Sequence, residues 1–378
     1  MTMRQERIRY FMRTVALAAL LVTWASVAGA GGSGSDRPMT LSFGVDLSSW
    51  SIDLPGIDRY TQTVMPVAYS IPLGQRLTVD LGAHPFRTSF SRTGGRSDIV
   101  SHLGDTQVRA AYRLGRDLGM AVVSVGLPTG TGKLEADQFN NAALAADRRL
   151  DNPVTSFGTG LVVNGSLAMA KAFGNWVLGV GTGYSYRAEY AFTDSLAEYD
   201  PGDEINLTLG IDRNFRLGGK AAQITVDAIY TLYTDDKSSG ASIFEVGEKL
   251  FVEGRALFAV GPIDPLIIDV RHRSRADSQD PTTANSPAIE TGNELDADLT
   301  ARLPLGESVA LDLNTMLRRF EETSAGAGGA NILGFGCGLR ARLRPGLILQ
   351  PAALFQFGDI DDVDVTGIRF QVGMTTRL

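Results

Sequence analysis

The stretch GDTQVRAAYRLGRDLGMAVVSVGLPTGTGKL, residues 104–134, alternates between two kinds of side chain. Apolar residues recur at every second position from Val108 to Leu114, and the alternation resumes from Ala121 to Leu127 after a short break. Period-two alternation around a turn rich in glycine and aspartate predicts an antiparallel β-hairpin. The pattern recurs along almost the whole chain after residue 38 without a covering helix. It is typical of a transmembrane β-barrel with an apolar outer and a polar inner face.

The first thirty residues have the composition of a cleaved secretory signal. Arginines at positions 4, 7, 9 and 13 precede the short apolar run 15–22, and the segment ends in Ala28-Gly29-Ala30. A basic start, a short apolar middle and a small-residue exit are the parts of such a signal, and an uncleaved amphipathic anchor is the alternative. We therefore predict a signal peptide over 1–30, a Gly/Ser linker over 31–38 and a barrel over 39–378 in the bacterial outer membrane.

Sixteen strand candidates follow between residues 39 and 378, and short turns alternate with long polar loops. This is the topology of bacterial barrels, in which turns lie in the periplasm and loops lie outside. The predicted fold is all-β, an antiparallel transmembrane barrel of about sixteen strands without a plug domain; a fused or missed hairpin would give fourteen or eighteen. The longest connection, 128–157, is expected to narrow the extracellular mouth. A soluble all-β repeat protein is the alternative, but it needs a fixed repeat period, and the sequence shows none.

The composition narrows the partners. The formal net charge is −7, and nucleic acid would repel an acidic chain. A single cysteine, Cys337, excludes an internal disulfide framework; its position on an apolar face predicts a lipid contact. The expected partners are outer-membrane lipid, a small-molecule solute and the barrel-assembly machinery, which is expected to bind the amphipathic last strand. No cofactor or metal is predicted.

Residue parity predicts which side chains line the lumen, because a basic residue on the lipid face near the midplane costs about 2–4 kcal/mol. In the first half of the chain the inward set is mostly small, whereas in the second half it is charged. One register about the turn at Gly261 places Arg255 opposite Asp269 and Glu253 opposite Arg271, and each opposite-charge pair stabilises by about 0.2–1 kcal/mol. The predicted lumen-lining residues are Arg109, Arg113, Asp227, Glu253, Arg255, Asp269, Arg271, Asp298, Asp312 and Arg340.

Two interpretations of this charged wall remain open. It either maintains the barrel through ion pairs or orients solutes in a wet pore. The next turn would place Asp298 opposite Asp312, so either Arg302 or an arginine of a neighbouring strand neutralises them, or the register is shifted. Aromatic residues near strand ends are expected to form the interfacial girdles: Trp50, Tyr69, Tyr112, Trp176, Tyr184 and Tyr186.

Motifs for other functions fail. The segment LPTGTGK at 127–133 departs from the phosphate-binding loop at both ends. The acidic loop from Asp359 to Asp364 lacks the glycine and distant glutamate of a helix-loop-helix calcium site. His272 shares the outer face with Val270, but no serine motif accompanies it.

The segment from Gly104-Asp105 through Tyr112 to Leu127-Pro128-Thr129-Gly130 resembles a known family. It is similar to the outer-membrane barrels of the phenol-degradation meta-pathway, relatives of the long-chain fatty-acid channel superfamily. The resemblance runs from about Arg59 to Tyr186 and implies passage of small hydrophobic or aromatic compounds. Fatty-acid channels carry an N-terminal plug; about eight residues separate Ala30 from Met39, so the resemblance does not extend to a plug or to its ligand pocket.

Pro85 lies in the third strand candidate, where the fatty-acid channels have a kink that opens toward the lipid. Since proline lacks a backbone donor, we predict a kink at His84 and Pro85 that offers hydrophobic solutes a lateral exit. The alternative is that residue 85 lies above the membrane.

The sequence therefore predicts a non-enzymatic outer-membrane channel for the passive passage of small, hydrophobic or aromatic molecules. The alternatives are a structural or surface-interaction barrel and a barrel enzyme of the lipid-hydrolase type, which would need a serine and a histidine meeting on the outer face.

Overall fold

The computed structural model describes residues 38–53, 58–92, 97–115, 118–131, 133–135, 138–191, 198–282, 288–324 and 328–378. The predicted signal peptide and residues 31–37 of the predicted linker lie outside these ranges. Every structural statement below concerns the described residues.

Strands make up most of the chain. In order they are β1 (Thr40–Ile52), β2 (Arg59–Val64), β3 (Val67–Leu73), β4 (Leu77–Ala83), β5 (Pro85–Ser91), β6 (Ser97–Leu103), β7 (Thr106–Leu114), β8 (Gly119–Leu127), β9 (Val162–Phe173), β10 (Trp176–Arg187), β11 (Tyr199–Asp200), β12 (Glu204–Leu217), β13 (Lys220–Tyr233), β14 (Asp236–Ser238), β15 (Ala241–Phe244), β16 (Lys249–Val260), β17 (Ile263–Arg275), β18 (Glu294–Pro304), β19 (Val309–Phe320), β20 (Ala330–Arg344), β21 (Leu347–Ile360) and β22 (Val363–Arg377). Helix α1 (Phe139–Ala146) and the 3₁₀ helix Arg148–Leu150 lie between β8 and β9.

Nineteen of these strands form one antiparallel sheet. Three pairs, β2 with β3, β4 with β5 and β6 with β7, are each one strand with a short interruption, so the sheet has sixteen passes. β1 pairs with β22 along its whole length, from Thr40↔Arg377 to Ile52↔Val365, which closes the sheet. The predicted sixteen-strand barrel is confirmed. The sequence missed β6, which continues the fourth strand beyond the predicted start at residue 105.

The two rims of the barrel differ. Short turns lie at the rim that holds Thr40 and Arg377, which we call the turn rim. The long connections lie at the opposite loop rim, together with the two-residue turn Asp361-Asp362, where the sequence predicted a long acidic loop. At the loop rim, β11, β14 and β15 form a separate three-stranded sheet. Among the described residues no helix is long and apolar enough to cross a membrane.

Alternation along the strands sets the two faces. Residues paired across antiparallel strands point to the same face, so the pairings show which residues of successive strands share a face. Ser124 pairs with Asn164, which in turn pairs with Ser185, and all three point inward. Large apolar side chains such as Val123, Leu178 and Leu209 are exposed on the other face. Cys337 also points outward, opposite Leu313. The outer face is therefore apolar and the inner face polar or small over this part of the wall, as predicted.

Near the loop rim the polarity is reversed on one side of the barrel. There the inward side chains Trp50, Tyr60, Phe86 and Ile332 are fully buried in one hydrophobic cluster. The outward neighbours on the same strands are polar: Ser49, Ser51, Arg59, Thr61, Arg87, Ser89, Asn331 and Asp359. The prediction that Trp50 belongs to an interfacial girdle was wrong, because its ring packs inside the barrel; Tyr112, Trp176, Tyr184 and Tyr186 are exposed on the outer face.

The reversal begins where three neighbouring strands are interrupted. The breaks lie at Met65-Pro66, at His84 and at Gly104-Asp105. The Met65 amide donates to the Pro85 carbonyl over 2.8 Å, and the Gly104 amide donates to the His84 carbonyl over 3.3 Å. The strand formed by β4 and β5 keeps one register with β3 and β2 across the break. Its register with β7 and β6 shifts by one residue, between the pairs Pro85↔Leu103 and Gly82↔Gln107.

The predicted interruption at His84 and Pro85 is therefore present. Hydrogen bonds nevertheless join this strand to both neighbours at the break, which does not support a lateral opening. On the loop-rim side of the break, apolar side chains point inward and polar side chains point outward, as in a wall outside the lipid. This agrees with the alternative, in which residue 85 lies above the membrane. The lateral exit stays a prediction without structural support.

Candidate channel lumen

The connection from β8 to β9, which we call the inner loop, folds into the barrel over its described residues 128–131, 133–135 and 138–161. Its apolar side chains Ala145, Leu150, Val154 and Phe157 are buried in the same cluster as Trp50. The rings of Phe157 and Phe86 stack with centroids 5.0 Å apart. Fully burying a large apolar side chain stabilises by about 1.5–3 kcal/mol. The reversed polarity of this wall thus gives the inner loop a hydrophobic surface to pack against.

Hydrogen bonds fix the inner loop to two strands of this wall, β2 and β6. The Gln62 side chain of β2 holds the backbone of Val154 twice, donating to its carbonyl over 2.8 Å and accepting from its amide over 2.7 Å. The Asn141 amide donates to the Asp98 carbonyl of β6 over 2.9 Å. Since Gln62 is fully buried, both of its polar groups need these partners.

Ion pairs fix the same segment to β19 and β22, on the other side of β1. Asp151 accepts from Arg318 of β19 at 2.8 Å and from Arg369 of β22 at 3.0 Å. Arg369 also contacts Asp46 of β1 at 2.6 Å. One carboxylate of the inner loop therefore bridges two arginines of the barrel wall, which are 11% and 19% exposed.

Two arginines of the inner loop contact acidic residues of the barrel in turn. Arg148 contacts Glu294 of β18 at 2.8 Å, and Arg149 contacts Asp361, in the turn between β21 and β22, at 2.7 Å. Burial lowers the pKa of Arg149, but the carboxylates of Asp147 and Asp361 outweigh it, so the net shift is upward. The prediction that this connection narrows the mouth agrees with its position, and its effect on flux stays a prediction.

The base of the inner loop is held by Asp105, the aspartate of the motif that carried the family resemblance. Its carboxylate accepts from the amides of Gly130 and Thr159 over 2.9 and 2.8 Å. Thr129 completes the contact by donating to the Gly104 carbonyl over 2.9 Å. These bonds join the two ends of the loop to the break in the fourth strand, so the motif positions the inner loop.

The charged wall has the predicted register. Arg255 lies opposite Asp269, and Glu253 lies opposite Arg271. The Arg255 Nε donates to Asp269 over 2.8 Å, and Arg271 donates to Asp298 on the next strand. Both predicted pairings are confirmed, and ion pairs continue across three strands.

The next register is the shifted alternative. Asp298 lies opposite Met316, and Arg302 lies opposite Asp312. Arg302 donates to both Asp312 oxygens, over 2.7 and 2.9 Å. The register is therefore shifted by four residues from the one that would place Asp298 opposite Asp312. Each of these acids has its own arginine, Arg271 for Asp298 and Arg302 for Asp312. The bidentate contact of Arg302 with Asp312 is the strongest geometry for such a pair.

The other predicted lumen residues also carry inward parity. Arg109 contacts Asp80 at 3.0 Å. Asp227 lies opposite Gly210, where an added Cβ would come within 2.6 Å of its carboxylate, so the glycine makes room for it. Arg113, opposite Met120, and Arg340, opposite Ala310, have no carboxylate partner among the described residues. Asp227 also lies opposite Glu253 on β16. The structure thus brings Asp227, Glu253, Arg255, Asp269, Arg271 and Asp298 together and leaves Arg109, Arg113, Asp312 and Arg340 apart from them.

The wall that the inner loop leaves uncovered is lined by small side chains. β8, β9, β10, β12 and β13 border a cavity of about 510 Å³, whose inward residues include Ser166, Gly179, Gly181, Gly183 and Thr208. Glycine leaves only the backbone between the lumen and the lipid-facing side chains. Free space in the lumen therefore lies beside these strands.

A second cavity, of about 380 Å³, lies toward the loop rim from the first. It is bordered by Asp105, Gln107, Arg187, Tyr190 and Tyr199, among others. The two tyrosine rings meet edge to face at 5.6 Å, and Tyr199 donates to Asp236 over 2.6 Å. Burial raises the pKa of Tyr190 to about 12 and raises that of Tyr199 as well, so both hydroxyls stay protonated at neutral pH.

Several residues that shape the lumen were missed by the sequence reasoning. Asp46 shares the inward parity of Ser42 and Gly44 in β1, so parity alone carried a usable signal for it. Asp151 lies in a connection whose course no alternation describes. Asp151 was therefore beyond pattern-based reasoning.

The chain matches no protein-family model and no curated protein sequence. Solved structures with which it shares a barrel include the CymD monoaromatic hydrocarbon channel, at 11% identity over 90% of this chain and 89% of that one, with a TM-score of 0.41. A BenF-like porin from Pseudomonas fluorescens has 10% identity over 91% and 99%, with a TM-score of 0.46. The translocator domain of the autotransporter NalP from Neisseria meningitidis has 10% identity over 97% and 98%, with a TM-score of 0.37.

Proposed function

We propose that this protein is an outer-membrane channel for the passive passage of small solutes. The observation that carries the proposal is a closed barrel whose inner loop packs against one wall and leaves the small-residue wall uncovered. A barrel of about sixteen strands is wide enough for an aqueous passage unless loops or side chains fill it. Here the inner loop fills part of the lumen, so the passage is narrow and selects small molecules.

The orientation and partners belong to the same proposal. The turn rim, which carries both ends of the barrel, faces the periplasm, and the loop rim faces the exterior, as in bacterial barrels. The outer apolar belt contacts lipid, and assembly machinery inserts the chain. The ion-pair wall both maintains the barrel and presents charge to the passing solute, and the protein is not an enzyme.

Small hydrophobic or aromatic compounds are the solute class that we propose. The resemblance of residues 104–130 to barrels of phenol degradation supports this class. The cavity beside Gly179 and Gly183 supports it too, since Asp227 is the one charged residue among the described residues that border it. A molecule that crosses there meets backbone, methyl, hydroxyl and amide groups on one side and the inner loop on the other.

The test is conductance of the purified full-length protein in planar bilayers, with uptake of neutral solutes of increasing size into liposomes. Gly179→Leu should lower both, because the nearest atom to an added Cβ is 3.7 Å away and the rest of the side chain then extends into the lumen. Gly165→Leu is the matched control. Gly165 lies on the outer face of β9, opposite Tyr184, with no atom within 4 Å of an added Cβ.

Equal flux in wild type and Gly179→Leu would contradict the proposed path. A wild-type protein with neither conductance nor solute uptake would contradict the channel itself and favour the structural or surface-interaction barrel.

A further inference from the structure

Two cations face each other inside the barrel without an acid between them. Lys249 of β16 lies opposite Arg275 of β17, on the same face as Glu253 and Arg255. No carboxylate among the described residues lies within ion-pair distance of either one. Like charges directly opposite across strands destabilise a sheet, so this pairing is unfavourable for the barrel by itself.

The neighbouring inward arginines make the contrast clear. Arg255 contacts Asp269, Arg271 contacts Asp298, and Arg273 contacts Glu294 at 2.8 Å. Each of these bases therefore contacts an acid of the wall. Arg275 interacts with Glu294 only at longer range, because that carboxylate contacts Arg273 and Arg148. Lys249 and Arg275 are the pair at which direct contact between a base and an acid of this wall ends.

Aromatic rings hold the two cations in place. The Lys249 Nζ lies 5.8 Å and the Arg275 Cζ lies 5.6 Å from the centre of the Tyr233 ring. On the adjacent pair, the Arg273 Cζ lies 5.7 Å from the Phe251 ring. A cation–π contact stabilises a cation by about 0.5–1 kcal/mol at exposed sites but leaves its charge in place. The positive charge thus remains available to a ligand.

The pair also lies beside the proposed passage. β16 pairs with β13, which borders the cavity beside Gly179, and β17 pairs with β18, whose Glu294 contacts Arg148 of the inner loop. The contact of Arg148 with Glu294 therefore brings the inner loop to the strand next to β17. A solute that enters at this rim and moves along the uncovered wall comes within reach of Lys249 and Arg275 before it reaches the paired charges.

We propose that Lys249 and Arg275 form a recognition site for the carboxylate of a small organic anion with an apolar body. The guanidinium binds a carboxylate through two parallel N–H donors, and the ammonium adds a third charge-assisted bond. Tyr233 and Phe251 offer apolar contact to the rest of the molecule. This inference rests on the proposed channel function and names the solute class that its loop rim selects.

The experiment compares anion preference in bilayers. The reversal potential across a KCl gradient gives the Cl⁻ to K⁺ permeability ratio. This ratio should fall about fivefold when both cations become glutamine, because the passing ion loses the Coulomb interaction with two unit charges, each at roughly 8 Å from it in water. The control is Lys171→Gln with Arg213→Gln. These two cations also lie over aromatic rings, but they belong to the outer face.

Solute recognition is read from current block by cyclohexanecarboxylate, its neutral amide and acetate. Wild type and the control should be blocked more strongly by the carboxylate than by the amide, and Lys249→Gln with Arg275→Gln should remove the difference. The charge-preserving exchange Lys249→Arg with Arg275→Lys should keep it. Block by acetate as strong as that by cyclohexanecarboxylate would overturn the apolar part of the site.

A conducting double variant with wild-type ion preference and wild-type carboxylate block would overturn this inference and leave the channel intact. A wild type that does not conduct would overturn both.

Discussion

Asp151 should hold the inner loop in place, and Asp151→Asn tests this with the least change in shape. The residue has φ +50°, a left-handed conformation that asparagine adopts as readily as aspartate. The substitution therefore keeps the backbone and removes one charge. Arg369 retains Asp46, and Arg318 retains the more distant Asp296 at 3.6 Å, so neither arginine loses every acidic partner.

The magnitude follows from the two contacts that change. Each Arg–Asp151 bond is charge-assisted and contributes about 1.5–3 kcal/mol. An asparagine oxygen keeps a weaker, neutral bond to one arginine. Asp151 is 31% exposed, so solvent screens part of the rest. We expect docking of the inner loop to weaken by about 1.5–3 kcal/mol, which raises its undocked fraction about 10- to 150-fold.

Amide hydrogen exchange is the assay, because local opening sets the exchange rate of segments that detach without global unfolding. The Val154 amide, bonded to Gln62, should lose protection by the same factor, while amides of the β20–β21 pair should not change. Wild-type protection should also fall with salt, since screening weakens ion pairs, and Asp151→Asn should show a smaller salt dependence. Single-channel currents of the variant should show more frequent transitions to a larger conductance.

Asp362→Asn is the matched control. Asp362 also has a positive φ, of 61°, and is exposed at the loop rim. Unchanged protection at Val154 in Asp151→Asn, or an equal loss in the control, would refute the reasoning that this carboxylate docks the inner loop.

Three further outcomes are expected. Replacing residues 133–157 by a short Gly/Ser segment should raise conductance and solute flux in bilayers, and unchanged values would mean that the inner loop does not restrict the passage. Trp50→Ala removes a side chain that is 1% exposed and should cost about 3–5 kcal/mol, seen as a lower thermal midpoint in detergent; Trp176→Ala, 44% exposed on the outer face, should cost much less. Arg302→Gln leaves Asp312 without its bidentate partner and should destabilise the barrel by about 1–3 kcal/mol, whereas Arg113→Gln should change stability little; equal effects of the two would contradict the pairing.

Alternation along the chain was enough to determine the architecture and much of the inner wall. A barrel strand has one lipid face and one lumen face, so parity assigned Glu253, Arg255, Asp269 and Arg271 to the lumen, and the short turn fixed their cross-strand register. Where the turn is less tight, between β18 and β19, the sequence left the register open. The bidentate pair of Arg302 and Asp312 belongs to the register that the structure has.

The tertiary structure alone decided what occupies the lumen. Parity states which face a side chain is on but not whether that face meets water, lipid or another segment. The apolar inward face of Trp50, Tyr60 and Phe86 is buried because the inner loop packs against it, and that contact joins residues far apart in the sequence. The ion pairs of Asp151 with Arg318 and Arg369 also depend on closure between β1 and β22, since only a closed barrel brings these strands around one loop.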